Sequence, residues 1–302
     1  MAEREPLPRE VAVVWSLFLV DAAAILVTYS RLPARELYHV SGSGLEGGLS
    51  RVLVDSNFPA ALVAIAILLV LLDRVRRLRA VAVAGIVLCL PVFWPGVVDE
   101  ANLDARPINA VAAIGVLVAL ALSLRCGLGG GWSRDVRGDG LRDVVGTAAV
   151  LLALPWLFAE LGFFLDGAPL LDRVFETGDY RARGAEAAVH HGHHHGLDGL
   201  LLLLTAILLS RMVPGVRVRG LRLLLAAYLS LMAAYGLANM ANDFWTEQIW
   251  KRGWTNWQFP DVLQPSLSVG WGLIVAAAAV LLAMSIESPH SRMARLARRR
   301  AR

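Results

Sequence analysis

The run Val189-His190-His191-Gly192-His193-His194-His195-Gly196-Leu197-Asp198 carries five of the chain's seven histidines within six residues. Neutral imidazoles, joined by a carboxylate, are ligands for a divalent transition metal such as Zn, Ni, Co or Cu. In a helix, residues three and four apart share a face. Helical geometry therefore sets His191, His195 and Asp198 on one stripe, with His190 and His194 beside it and His193 within the same run. The preceding Ala185-Glu186-Ala187-Ala188 favours helix, so the cluster is expected to form the first turns of a membrane helix projecting above the bilayer. No zincin, EF-hand or cysteine-based zinc spacing accompanies it, and the signal is compositional. It fits loose metal capture, a loop that charges on acidification, part of a catalytic metal centre, or a solvated segment. Gly192 and Gly196 add a small-xxx-small pattern that suits close helix packing.

Carboxylates at membrane depth form the second group. Asp21 lies near the middle of an apolar run between Val20 and Ala22. A carboxylate there must be protonated, paired or turned to a wet cavity, and it is a candidate proton or cation relay. Glu160 follows Pro155, which kinks a helix and frees a carbonyl. Asn239, Asn242 and Asp243 close a later apolar run at a similar depth, so these groups are expected to approach Asp198 and the histidines. Glu160 and Glu247 are the candidate general bases of a metal-dependent enzyme.

Residues 242–260 hold four of the nine tryptophans, Trp245, Trp250, Trp254 and Trp257. The last three follow i, i+4, i+7 spacing, although Gly253 weakens a continuous helix. The segment reads as an amphipathic stretch at the headgroup level, or as a platform for a lipid, isoprenoid or sugar. Lys251 and Arg252 beside it can meet lipid phosphates. Trp94, Trp156 and Trp271 fall near the same boundary and extend an aromatic belt. In the first outer loop, Gly42, Gly44, Gly47 and Gly48 mark a flexible or tightly turned segment near His39. They lack the Lys and Ser/Thr of a phosphate-binding loop.

The elements that position these groups are apolar helices. The 302 residues are 57% hydrophobic, with a mean hydropathy of +0.57. The formal charge of +4 does not indicate nucleic acid, because the basic residues stand in short clusters between apolar runs. A hydrocarbon core of about 30 Å needs roughly 20 apolar residues per helix. The candidate spans are 11–29, 58–72, 80–98, 109–124, 143–165, 197–213, 220–241 and 268–286; the short second and fourth are expected to extend into their flanks. The fold class is therefore all-α: one polytopic helical membrane domain over 1–302 with about eight transmembrane helices. The first run reads as a retained helix, not a cleaved signal peptide.

Orientation follows from the cations. Arg4, Arg9, the clusters at 74–79, 125–142 and 211–222, and the tail 287–302 hold 20 of the 29 basic residues. All fall on one side if the N-terminus is cytoplasmic, which gives N-in/C-in. The long segments 30–57, 166–196 and 241–267 then lie outside. Lys251 is the only lysine, and the arginine bias suggests a GC-rich bacterial genome and an inner-membrane location. Cys89 and Cys126 differ in depth by roughly 10–15 Å, too far for a disulfide.

These features give three expectations for function. The chain binds or transports a divalent transition metal through the outer histidines, with Asp21, Glu160 and Asp198 along a path. Alternatively, it is a membrane-embedded metal enzyme acting on a lipid-borne substrate, or an accessory subunit without chemistry of its own. The lipid bilayer is the expected partner in each.

Overall fold

The structure, a computed structural model of the chain, describes residues 6–31, 42–94, 97, 104–133, 136, 138–161, 169, 176–181, 184–187, 195–260 and 262–285. Helix α1 runs Arg9–Arg31, α2 Gly44–Val54 and α3 Asn57–Arg74. Helix α4 spans Arg79–Cys89 and tightens into a 3-10 turn at Leu90–Phe93, where Pro91 lacks an N–H to continue the ladder. Helix α5 is Pro107–Cys126; Pro107 suits the first turn, and Asn109 Oδ1 accepts the Arg106 N–H at 2.8 Å. Helices α6 (Asp139–Leu152) and α7 (Leu154–Glu160) are divided just before Pro155. A hairpin follows, β1 (Glu176–Arg181) antiparallel to β2 (Gly184–Ala187). The chain continues with α8 (His195–Ser210), α9 (Arg219–Trp245) with a π-helical turn at Thr246–Trp250, and α10 (Val269–Ser285).

Among the described residues, four helices are long and apolar enough to cross a membrane: Arg9–Arg31, Asn57–Arg74, Pro107–Cys126 and Arg219–Trp250. Arg79–Phe93, His195–Ser210 and Val269–Ser285 are apolar but shorter. The runs 58–72 and 109–124 extend at both ends, as expected from the sequence. The run 143–165 instead divides into α6 and α7, and 80–98 loses regular helix at Leu90. Two sequence expectations fail locally. The glycine-rich part of 30–57 contains α2, and Ala185–Ala187, expected to be helical, lies in β2. The tail 287–302 lies outside the described residues.

Helix α3 is the centre of the bundle. Every residue from Asn57 to Leu71 is buried, and it packs against α4, α5, α8 and α9. A helix apolar all round is stable only when enclosed or in lipid. The outer helices are apolar on their free faces as well. Leu19, Val20 and Val27 on α1, Ile114 and Leu117 on α5, and Leu273 and Val280 on α10 are exposed. An apolar exterior of this extent matches a hydrocarbon environment.

Backbone approach sets the tightest crossing. A Cβ on Gly236 of α9 would lie 2.6 Å from the Gly199 oxygen of α8, and the reverse substitution meets the Gly236 oxygen. Small residues here let the two backbones touch. At the end of the bundle carrying the arginine clusters, the chain is tied by polar contacts. Glu10 is 0% exposed; its carboxylate accepts from the Ser133 N–H at 3.0 Å and pairs with Arg211 at 3.0 Å. Arg211 also pairs with Asp139, which pairs with Arg142. Leu7 and Arg9 donate backbone N–H groups to Gly127 and Gly131, lashing the start of α1 to the segment after α5. Cys89 and Cys126 are free thiols, in agreement with the depth argument.

Candidate functional site

The opposite end of the bundle carries three polar or aromatic groups. The first is the junction of α8 with α9. Helix α8 begins at His195, which is half-buried, and Asp198 in its first turn is buried. The Gly196 N–H donates to Asp243 Oδ2 of α9 at 3.1 Å. A carboxylate at a helix N-terminus satisfies an otherwise open donor and complements the helix dipole. Gly196 is fixed from the other side by the Trp156 indole, which leaves no space for a Cβ. Trp156 is therefore a buried packing residue of α7, not part of an interfacial belt. Asp198 and Asp243 lie at this junction, whereas Asn239 turns to the Tyr235 carbonyl and Asn242 to Pro260.

One turn beyond Asp243, the π-helical segment re-aims the side chains. Glu247 is 1% exposed and pairs with Lys251 Nζ at 3.0 Å. Arg252 donates to Gln248 and lies over the Trp254 ring; burial holds its guanidinium below the usual value. Gly253 takes φ +72°, which ends the helix. The expected i, i+4, i+7 face of Trp250, Trp254 and Trp257 is consequently absent. Trp257 folds back instead, accepting the Trp245 indole N–H at its carbonyl (3.0 Å) and meeting that ring edge-on at 5.0 Å. Trp254 projects outward, 74% exposed.

The second group surrounds Asp21. It is buried and accepts the Ser56 hydroxyl at 3.0 Å. Ser56 lies in the two-residue break between α2 and α3. Beside it, Arg51 is 1% exposed, pairs with Asp55 at 2.6 Å, and stands over the Tyr29 ring at 4.9 Å. The buried face of α2 thus carries charge, while Leu45, Leu49 and Leu53 form its exposed stripe. Arg51 and Asp55 went unnoticed in the sequence, although their i, i+4 spacing is a helix-pair signal.

The third group is an apolar pocket between α3, α9, the end of α4 and the start of α10. It is a partly open cleft with about 60 Å³ of interior space. Phe58, Phe93, Trp94, Tyr228, Tyr235 and Trp271 supply its aromatic walls. Tyr235 and Trp271 stack at 5.4 Å with 29° between planes, and Phe58 meets Tyr235 edge-on at 6.5 Å. The Tyr235 hydroxyl donates to the Leu263 carbonyl at 2.7 Å, and Tyr228 donates to Leu62 at 2.8 Å. The first bond holds the segment 262–265 against α9 as one wall, and the second ties α9 to α3. Of the residues singled out in the sequence, only Trp94 and Trp271 belong to it.

Of the metal candidates, His190, His191, His193 and His194 lie outside the described residues. Among the described residues, no three His, Cys, Asp or Glu side chains are placed to hold a metal ion. Glu160 ends α7, and its side chain also lies outside what is described. No family model matches the chain, no curated protein matches it, and no solved structure matches it.

Proposed function

We propose that this chain is a bacterial inner-membrane protein of about eight spans, N-in/C-in, that takes a lipid-borne ligand into the aromatic pocket in its outer half. The pocket carries this reading: it is walled by six aromatic rings and aliphatic side chains, and among the described residues none of the thirteen that line it is charged. Concave, mostly apolar cavities with a few polar groups are the usual form of small-ligand sites. The eight-span reading joins residues 143–160 into one kinked crossing, about 27 Å long at 1.5 Å per residue. It also counts the shorter helices, about 22–26 Å each, as crossings.

Native mass spectrometry of the detergent-purified chain tests the pocket. A lipid adduct is expected on the wild type and lost in Leu231→Trp, which fills the cavity. An adduct that survives the substitution removes this reading.

A second reading has its own support. His195 and Asp198 share the first turn of α8, and Asp243 bonds the Gly196 N–H beside them. A divalent transition metal captured by the histidine run would be held next to this acidic junction, with Asp21 as a relay if the ion is transported. Metal analysis of purified protein should then show Zn, Ni, Co or Cu, depleted in His191→Ala/His195→Ala. Absence of micromolar binding ends the metal reading.

A further inference from the structure

The pocket has three properties that narrow its ligand. Six of the thirteen described residues that line it are aromatic, including the stacked Tyr235–Trp271 pair. An acyl chain gains little from such walls over aliphatic ones, whereas a flat conjugated ring stacks on them. Among the described residues, no charged side chain lines the cavity, so a phosphorylated headgroup finds no counter-charge on these walls. The Trp271 indole nitrogen is buried and has no hydrogen-bond partner among the described residues. An unpaired donor in apolar surroundings is costly, and a carbonyl oxygen would satisfy it.

The pocket is lined along α9 from Tyr228 to Tyr235. Tyr228 and Tyr235 stand seven residues apart on α9, about 10 Å along the axis. That length separates a ring position, at Tyr235 and Trp271, from an aliphatic stretch toward Leu62 and Leu231. We infer that the ligand is a membrane quinone, its neutral ring against the Tyr235–Trp271 pair, one carbonyl accepting the Trp271 N–H, and its chain running along α3 and α9. Reaching the Trp271 nitrogen requires the indole to tilt on Tyr235, because that nitrogen is covered in the ligand-free fold. This inference rests on the lipid-pocket reading and sharpens it.

The test uses the full chain in phosphatidylethanolamine/phosphatidylglycerol nanodiscs and an azido-benzoquinone bearing a decyl chain. Photolabelling should map to 228–235 and 262–271 and be competed by unlabelled decyl-benzoquinone. Trp271→Phe keeps the ring and removes the donor, so affinity should fall about three- to tenfold, the range of one net hydrogen bond. Leu231→Trp should abolish the label. Scattered labelling, with a phospholipid adduct still lost in Leu231→Trp, overturns the quinone and leaves the lipid pocket standing. Loss of both ligands from the wild type overturns both. Unchanged affinity in Trp271→Phe also overturns the assignment.

Discussion

At the scale of single residues, the arginine-rich end shows how buried charge is held. Glu10 is enclosed, and Arg211 reaches both it and Asp139. Removing one partner of a buried pair is worse than removing both, because the remaining charge has lost its compensation. Arg211→Met is therefore expected to cost about 3 kcal/mol, read as a lower thermal midpoint in detergent. Glu10→Gln/Arg211→Met should recover much of that loss. Asp139 adds a pH dependence. The Val136 N–H, then Arg211 and Arg142, hold its carboxyl below the ordinary value of 3.8. Stability from a group depressed in the folded state is complete above the unfolded value and fades as pH falls through the folded one. The thermal midpoint should accordingly drop on acidification below pH 3.8, and less steeply in Asp139→Asn.

At the scale of elements, the α8–α9 crossing is the sharpest target. A side chain at Gly236 would strike the Gly199 oxygen at 2.6 Å, so Gly236→Leu must push the helices apart. Overpacking of this kind costs about 1–3 kcal/mol, and a lowered thermal midpoint with unchanged helix content by circular dichroism would show it. The apolar runs of α1, α3, α5 and α9 were legible because hydropathy over some twenty residues survives any tertiary context. Helix α2 was not. Its glycines read as a loop because they weaken an isolated helix, yet Gly47 and Gly48 are buried in contact-forming positions that favour small residues. The tryptophan spacing misled for the opposite reason. A correct periodicity was interrupted by one backbone angle, at Gly253. The position of a carboxylate along its apolar run was readable from sequence, as with Asp21 and Asp243, but its azimuth was not. The pocket was hidden because Phe58, Tyr228, Tyr235 and Trp271 come from three separate helices.

At the scale of the molecule, orientation is testable by reporter fusions. A fluorescent protein joined after Gly215 should be bright, and alkaline phosphatase joined after Asn256 should be active. The reverse pattern would invert the arrangement and place the aromatic pocket in the inner leaflet. The enclosure of α3 also bears on how the chain is assembled. Four of the elements around it, α4 and α5 then α8 and α9, follow it in sequence, and the last two come more than a hundred residues later. During synthesis the future centre must therefore wait in the bilayer with much of its surface bare. Lipid tails are as apolar as the leucines that later replace them, so the wait costs little for a helix with no charge between Asn57 and Leu72. The acids of α8 and α9 have no such freedom. Insertion of those two helices as a pair, closing on a centre already in place, is the order this arrangement favours.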